Sequence, residues 1–310
     1  MKVLIVGARS KTAEALLRLV RRHRLQWEML LISHQPGEPT VIHGYPVHVV
    51  LGYSRQLLRE LCRTWEPEVI VNLAAITDVD ACEQNRSVAW QVNVELVETL
   101  ASVCRILGAH LIQLSSDYVF DGVAGPYDEQ AYPRPINYYG RTKLAAENVC
   151  WALAPSATVI RTTQIFGTPA PWCSDVVGWA VRRALAGERV AVAEDVYTNP
   201  TFVDDLAQAL IVALQDRVEG VIHIAGRMWL SRYDFLRQAF EIVGLPGHLL
   251  VPRPASELYQ GRASRPRYGG LHWRRAEELL GLRLRSLEDA LWLTSRRLHS
   301  VMGMSGKTAE

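Results

Sequence analysis

Along the first half of the chain, apolar residues fall into short runs separated by longer stretches in which they recur every three or four positions. The runs cover 2–6, 28–33, 47–51, 68–74, 109–115 and 157–161, and the amphipathic stretches lie near 11–24, 54–64, 86–106 and 138–152. A short apolar run reads as a strand buried on both faces, and a period of 3.6 reads as a helix with one face on a core. Strand–helix alternation predicts an α/β protein with a parallel sheet covered by helices on both sides. After "RTTQIFG" (161–167) the pattern loosens, and helices are expected near 175–187, 203–215, 231–243 and 286–299. "VIHIAG" (221–226) is apolar enough to return to the main sheet as a further strand. A first domain is therefore expected over 1–167 with the segment near 220–226 added to it, a smaller second one over 168–302, and a flexible tail over 303–310.

Composition narrows the class. The chain has 310 residues, of which 49% are hydrophobic, and a mean hydropathy near zero, as in soluble globular proteins. No apolar run reaches the roughly 18–20 residues of a membrane span. Met1 and Lys2 lead straight into a strand, so no secretory signal is expected. The five cysteines, at 62, 82, 104, 150 and 173, are odd in number, scattered and without a C-x-x-C pair. Neither a disulfide framework nor a metal cluster is indicated, and a reducing cytoplasm is the simplest home. The net charge is +2, and the Arg-Arg pairs at 21–22, 182–183, 274–275 and 296–297 are spread over expected helices. Solvated helix faces account for them, and no nucleic-acid partner is expected.

The stretch "LIVGARSKTAEALL" (4–17) joins the first strand to the first helix. In a dinucleotide turn one glycine makes the bend, a second lets backbone approach the pyrophosphate, and a third lets helix and strand pack closely. Here those places are Gly7, Ser10 and Ala13. Gly7 keeps the bend and Ala13 is small enough. Ser10 is the departure: its hydroxyl either meets a phosphate oxygen or caps the helix, whose first N–H groups remain an anion site. Gly7, Arg9, Ser10, Lys11 and Thr12 are the candidates here.

Downstream, "LIQLSSDYVFDG" (111–122) is a buried strand ending in hydroxyls, and "NYYGRTKLAAEN" (137–148) follows. Tyr139 and Lys143 are one helical turn apart on one face. Such a lysine is expected to lower the phenol's pKa, so that it exchanges a proton near neutrality. Ser116 supplies a second hydrogen bond to a substrate oxygen. The stretches "VNLAAITDVDACE", "VNVELVETLA", "LSSDYVFDG", "PYDE", "PINYYGRTKLAAE", "NPTFVDDLA" and "SRPRYGGL" occur in the order, and over nearly the whole length, of the extended short-chain dehydrogenase/reductases. Within these the chain resembles the dTDP-4-dehydrorhamnose reductase group. The resemblance implies a Rossmann-type doubly wound sheet with a smaller C-terminal α/β substrate domain. It implies Ser116, Tyr139 and Lys143 as the catalytic triad, with Tyr139 and Lys143 also on the cofactor. Ala74, Ala75 and Ile76 would lie along that cofactor, and Ser116, Asp117, Tyr118 and Gln164 at the sugar. Dehydratases of the superfamily carry an Asp-Glu pair after the triad hydroxyl; here Asp117 and Tyr118 follow Ser116, which favours carbonyl reduction.

Three departures from the group qualify the details. The glycine loop is eroded. Tyr53 stands where an aspartate usually approaches the adenine, so it either stacks on the base or marks a changed pocket. Gln164 replaces an aromatic beside the sugar, which opens the identity of the sugar. The second strand ends in Ser33 and His34 without a carboxylate, while Arg9 and Lys11 lie in the adjacent loop. An acidic residue there would select NAD, and basic ones welcome a 2′-phosphate. NADP(H) is favoured, and NAD(H) stays open. The expected activity is NAD(P)H-dependent reduction of a keto group on a nucleotide-linked deoxysugar. The rivals are a nucleotide-binding regulatory or partner subunit and a reductase of a non-sugar carbonyl. A homodimer is left open.

Overall fold

The structure, a computed structural model, describes residues 1–34, 37, 39–168 and 175–302. The tail over 303–310 and Cys173 lie outside the described residues. The first half runs β1 (Lys2–Val6), α1 (Lys11–Arg22), β2 (Glu28–Ser33), β3 (Val41–Ile42), β4 (Tyr45–Val49), α2 (Arg55–Trp65), β5 (Val69–Asn72), α3 (Val79–Gln84), α4 (Arg86–Trp90), α5 (Leu96–Leu107), β6 (His110–Ser116), α6 (Tyr138–Leu153) and β7 (Ala157–Thr162). The second half runs β8 (Ile165–Phe166), α7 (Val176–Leu185), β9 (Val190–Ala193), β10 (Tyr197–Thr198), β11 (Thr201–Phe202), α8 (Val203–Asp216), β12 (Gly220–Ile224), β13 (Leu230–Ser231), α9 (Arg232–Val243), β14 (Leu250–Arg253), α10 (Ala255–Leu258), α11 (Arg274–Leu280) and α12 (Leu287–Met302).

Eight strands form one sheet in the order β12-β7-β6-β5-β1-β2-β4-β3, parallel throughout except for the β3–β4 edge. The strands are apolar on both faces because both are covered, as parallel sheets require. On one side Ile5, Leu16, Leu31, Val71 and Leu210 belong to a core that takes in α1 and α8. On the other, Leu4, Ile70, Leu100 and Val159 pack with α2, α5 and α6. Side chains of the second half close a separate core around Phe166, Phe235 and Phe240.

Caps set several helix starts. Ser54 Oγ accepts from Leu57 N at 3.2 Å and Asn137 Oδ1 from Gly140 N at 2.8 Å, each taking a donor that the first turn leaves unpaired. The single helix expected over 86–106 is broken: residues 91–95 widen into a π-type turn between α4 and α5. There the Asn93 side chain accepts from Ile76 N at 2.8 Å and donates to Ile76 O at 3.0 Å. The strand expected over 47–51 lies instead at Tyr45–Val49, where β4 pairs with β2 on one side and β3 on the other.

Candidate active site

The strands of the sheet end at one edge, where open α/β folds bind their ligands. Gly7 leaves β1 with φ +87°, and a Cβ there would come within 2.6 Å of the Ala74 nitrogen. Only glycine allows the turn to lie this close to the β5 loop. The Gly7 and Ala8 N–H groups donate to Ile32 O at 3.0 and 3.1 Å, tying the turn to β2. Of the two roles open to Ser10, the structure makes the cap: its Oγ accepts from Ala13 N at 3.1 Å. Lys11 and Thr12 follow in the first turn of α1; Thr12 is buried and Lys11 lines a cleft of about 620 Å³. Helix starts of this kind carry N–H groups without intrahelical acceptors, so the bend and α1 fit a dinucleotide's pyrophosphate despite Ser10.

Arg9, Ser33, His34 and Tyr53 gather around the end of β2. The Arg9 guanidinium is nearly buried and reaches the loop beyond that strand, donating from Nε to Pro39 O at 3.2 Å and from another nitrogen to Gly37 O. Ser33 is buried at the strand end. Tyr53 accepts from His34 N at 3.2 Å and stands edge-on to that ring, centroids 5.1 Å apart. Burial pushes its phenol up to about 12, against hydrogen bonds from the His34 and Gly7 backbone.

The cleft brings together Ala74, Ala75, Ser116, Asp117, Tyr118, Tyr139, Lys143 and Gln164, with Ile76 packed against the same Tyr139 cluster. Ser116 ends β6, and Tyr139 and Lys143 project from the first two turns of α6. Gly140 lets the helix come this close, since a Cβ there would fall 2.1 Å from Tyr118 O. Tyr139 and Ser116 line the cleft together, and Tyr118 meets the Tyr139 ring edge-on at 5.6 Å. Lys143 Nζ donates to Leu114 O at 2.6 Å. Burial pushes the Lys143 amine down to about 8, opposed by the charge of Glu147. Burial also holds the Tyr139 phenol above its ordinary value, only partly offset by Ser116. Desolvation is the largest cause, so the phenol of the chain alone stands above its ordinary value; the expected lowering belongs to the lysine together with a bound cofactor. Asp117 accepts from Gly270 N at 3.3 Å and from Ser116 Oγ at 3.2 Å, and burial pushes its carboxyl up to about 6.

Four contributors escape the motif reading. Asn93 clamps the β5 loop to α6, donating to Thr142 Oγ1 at 3.0 Å as well as to Ile76 O. Arg232, at the start of α9, donates to Tyr118 Oη at 3.1 Å and Tyr259 Oη at 2.9 Å and lines the cleft. Arg265 closes the cleft from the far end of the chain, bound through both its terminal nitrogens to Asp80 at 2.6 and 2.7 Å. "VNVELVETLA" and "SRPRYGGL" contain Asn93 and Arg265; no local signal marks Arg232 or Tyr259. No group of three or more His, Cys, Asp or Glu among the described residues is placed to hold a metal ion, and no helix among them is long and apolar enough to cross a membrane.

A doubly wound sheet with a serine, a tyrosine and a lysine one turn on, converging beside a glycine bend, defines an extended short-chain dehydrogenase/reductase. More narrowly, the chain belongs to the RmlD substrate binding domain family, whose match covers residues 1–299. The probable low-salt glycan biosynthesis reductase Agl14 of Haloferax volcanii is 31% identical over 295 residues, 94% of this chain and 96% of its own. The dTDP-4-dehydrorhamnose reductase of Mycobacterium tuberculosis is 38% identical over 231 residues, 67% of this chain and 74% of its own. Among solved structures, a dTDP-4-dehydrorhamnose reductase from Clostridium acetobutylicum superposes with a TM-score of 0.83, covering 98% of this chain and 100% of that one at 25% identity.

Proposed function

We propose that the chain reduces a keto group on a nucleotide-linked deoxysugar, with NADP(H) as the favoured cofactor. The convergence of Ser116, Tyr139 and Lys143 beside Tyr118 in one cleft carries the reading. The relatives named as dTDP-4-dehydrorhamnose reductases support the choice of substrate. Gly7 and the start of α1 would hold the pyrophosphate, Arg9 and Ser33 the adenosine ribose with its 2′-phosphate, and Tyr139 and Lys143 the nicotinamide ribose. A bound nicotinamide supplies the hydride. Tyr139 donates its phenolic proton to the substrate's carbonyl oxygen, and Ser116 turns its hydroxyl proton from Asp117 to give that oxygen a second hydrogen bond. The Lys143 ammonium stabilises the tyrosinate left behind. Asp117 and Gly270 keep Ser116 and the loop over the cleft in place. The buried and unpaired Cys62, Cys82, Cys104 and Cys150 support a reducing cytoplasm as its home.

The test is to offer the purified chain dTDP-4-dehydrorhamnose with NADPH or NADH and to identify the product by mass. A product heavier by two hydrogens, with matching loss of the reduced cofactor, supports the reading. Tight NADPH binding with no keto substrate consumed would favour a nucleotide-binding partner protein instead.

A further inference from the structure

Buried polar groups in folded proteins almost always have partners, and the exceptions call for an explanation. Among the described residues, four buried side-chain polar atoms have none: Glu14 Oε2, Gln164 Oε1, Thr198 Oγ1 and Arg232 Nε. Three of the four belong to residues that line the cleft of Tyr139. Their chain segments are brought together by two short ladders. Thr198 pairs with Leu230 across β10–β13, Arg232 follows Ser231 of the same ladder, and Gln164 precedes the β8–β11 pair. Thr198 is only 5% exposed. The remaining Arg232 nitrogens hold it to two phenols rather than to a carboxylate.

We propose that Gln164, Thr198 and Arg232 are specificity-determining residues that read a ring hydroxyl of the substrate sugar other than the reacting carbonyl. The inference rests on the nucleotide-sugar reading above. An acceptor (Gln164 Oε1), a hydroxyl (Thr198) and a guanidinium donor together match a group that both donates and accepts. A sugar hydroxyl does both. A phosphate or carboxylate oxyanion satisfies Arg232 and leaves the Gln164 carbonyl without a donor. An apolar ring face satisfies none of the three. The departure from the aromatic usual at position 164 then has a physical sense: a stacking contact is exchanged for a hydrogen-bonding one, which a site enforces strongly because its own groups are stranded when the hydroxyl is missing.

Calorimetric binding of dTDP-rhamnose and of its 2-deoxy and 3-deoxy analogues, to wild type and variants, tests this without requiring turnover. Wild type is expected to bind at least one analogue about tenfold or more weaker than the parent. Gln164→Leu and the near-isosteric Thr198→Val are expected to erase that gap, and Arg232→Met to reduce it. Equal binding of parent and analogues by wild type overturns the proposal, as does a gap that survives in Gln164→Leu and Thr198→Val. Thr198→Val carries the test if the larger change disturbs folding, which melting curves report. Turnover of dTDP-4-dehydrorhamnose without hydroxyl discrimination would sink the subsite and leave the reductase reading intact. Discrimination without turnover would do the reverse.

Discussion

Lys143 and Glu147 stand one turn apart on the same face of α6, yet Glu147 is bonded to Arg161 and Lys143 to the backbone of β6. Arg161 reaches both Glu147 oxygens, at 2.9 and 2.7 Å, and Ser115 Oγ donates to Oε1 at 2.5 Å. Lys143 Nζ takes Leu114 O, the neighbouring residue of the strand. Glu147 therefore acts on the lysine through its charge, opposing the burial that brings the amine down to about 8. An amine is charged below its pKa, so the ammonium that the proposed mechanism places beside Tyr139 is lost as pH rises through that value. Removing the carboxylate in Glu147→Gln lowers the amine further, and the alkaline limb of kcat/KM is expected to move to lower pH. A limb unchanged from wild type would show that Glu147 has no hold on Lys143.

The same substitution strands a cation. Both partners of the ion pair are almost fully buried, and breaking such a pair from one side costs about 3–5 kcal/mol. Denaturant unfolding of Glu147→Gln should register a loss of this size. The double variant Glu147→Gln with Arg161→Met should recover most of it, since no buried charge is left over.

At the dinucleotide turn, Ser10 is a helix cap with ordinary extended backbone, φ −72° and ψ 154°. Replacing it by alanine removes the acceptor for Ala13 N and is expected to cost about 1 kcal/mol of stability, and by glycine only about a few tenths. Glycine also clears the Cβ from the phosphate path. NADPH affinity of Ser10→Gly, by fluorescence titration, should equal or exceed that of wild type. A clear loss would mean that the hydroxyl itself meets the phosphate.

The outcome at residue 10 illustrates what was legible. β1 and β2 lie at the residues read from the apolar runs, because the buried apolar residues at 3–6 and 31–32 mark them. The two-residue ladders β8–β11 and β10–β13 are too short to show a period, and they are what carry Gln164, Thr198 and Arg232 to the cleft. Tyr139 and Lys143 announce themselves by spacing on one helix. Arg232 meets Tyr118 across 114 positions of chain, and within its own helix it is one arginine on an amphipathic pattern. The π-type turn at 91–95 has no signature in the hydrophobic period, because Asn93 replaces regular helix geometry by bonds to a distant loop.

Arg9 bears on cofactor choice. Its guanidinium lies against the loop after β2, the side on which a 2′-phosphate is distinguished from a bare ribose. A charge-assisted contact is worth roughly 1.5–3 kcal/mol, about ten- to a hundredfold in affinity. Arg9→Ala should weaken NADPH by that factor and NADH much less, because the loop contacts serve both cofactors alike. Equal losses would limit Arg9 to holding the loop.

The proton donor can be isolated by comparing two adjacent tyrosines on α6. Tyr139 is buried and seated in the cleft beside Ser116; Tyr138 is one residue out of register, with Arg86 over its ring at 5.0 Å. Tyr139→Phe keeps the ring and its edge-on contact with Tyr118 but removes the only proton the residue can deliver. Folding and NADPH binding should persist, while turnover of dTDP-4-dehydrorhamnose falls by about 10²–10⁴-fold, the usual contribution of a positioned acid. Tyr138→Phe keeps the ring that Arg86 covers and should leave the rate close to wild type. Lys143→Met should lower turnover and cofactor affinity together, because the proposed mechanism has its ammonium serve both the phenol and the nicotinamide ribose. Melting curves and cofactor titrations on all three separate lost chemistry from lost structure. A Tyr139→Phe preparation that folds, binds NADPH and turns over at the full rate would place the proton donor elsewhere in the cleft, with Asp117, held up to about 6 by burial, as the next group to replace.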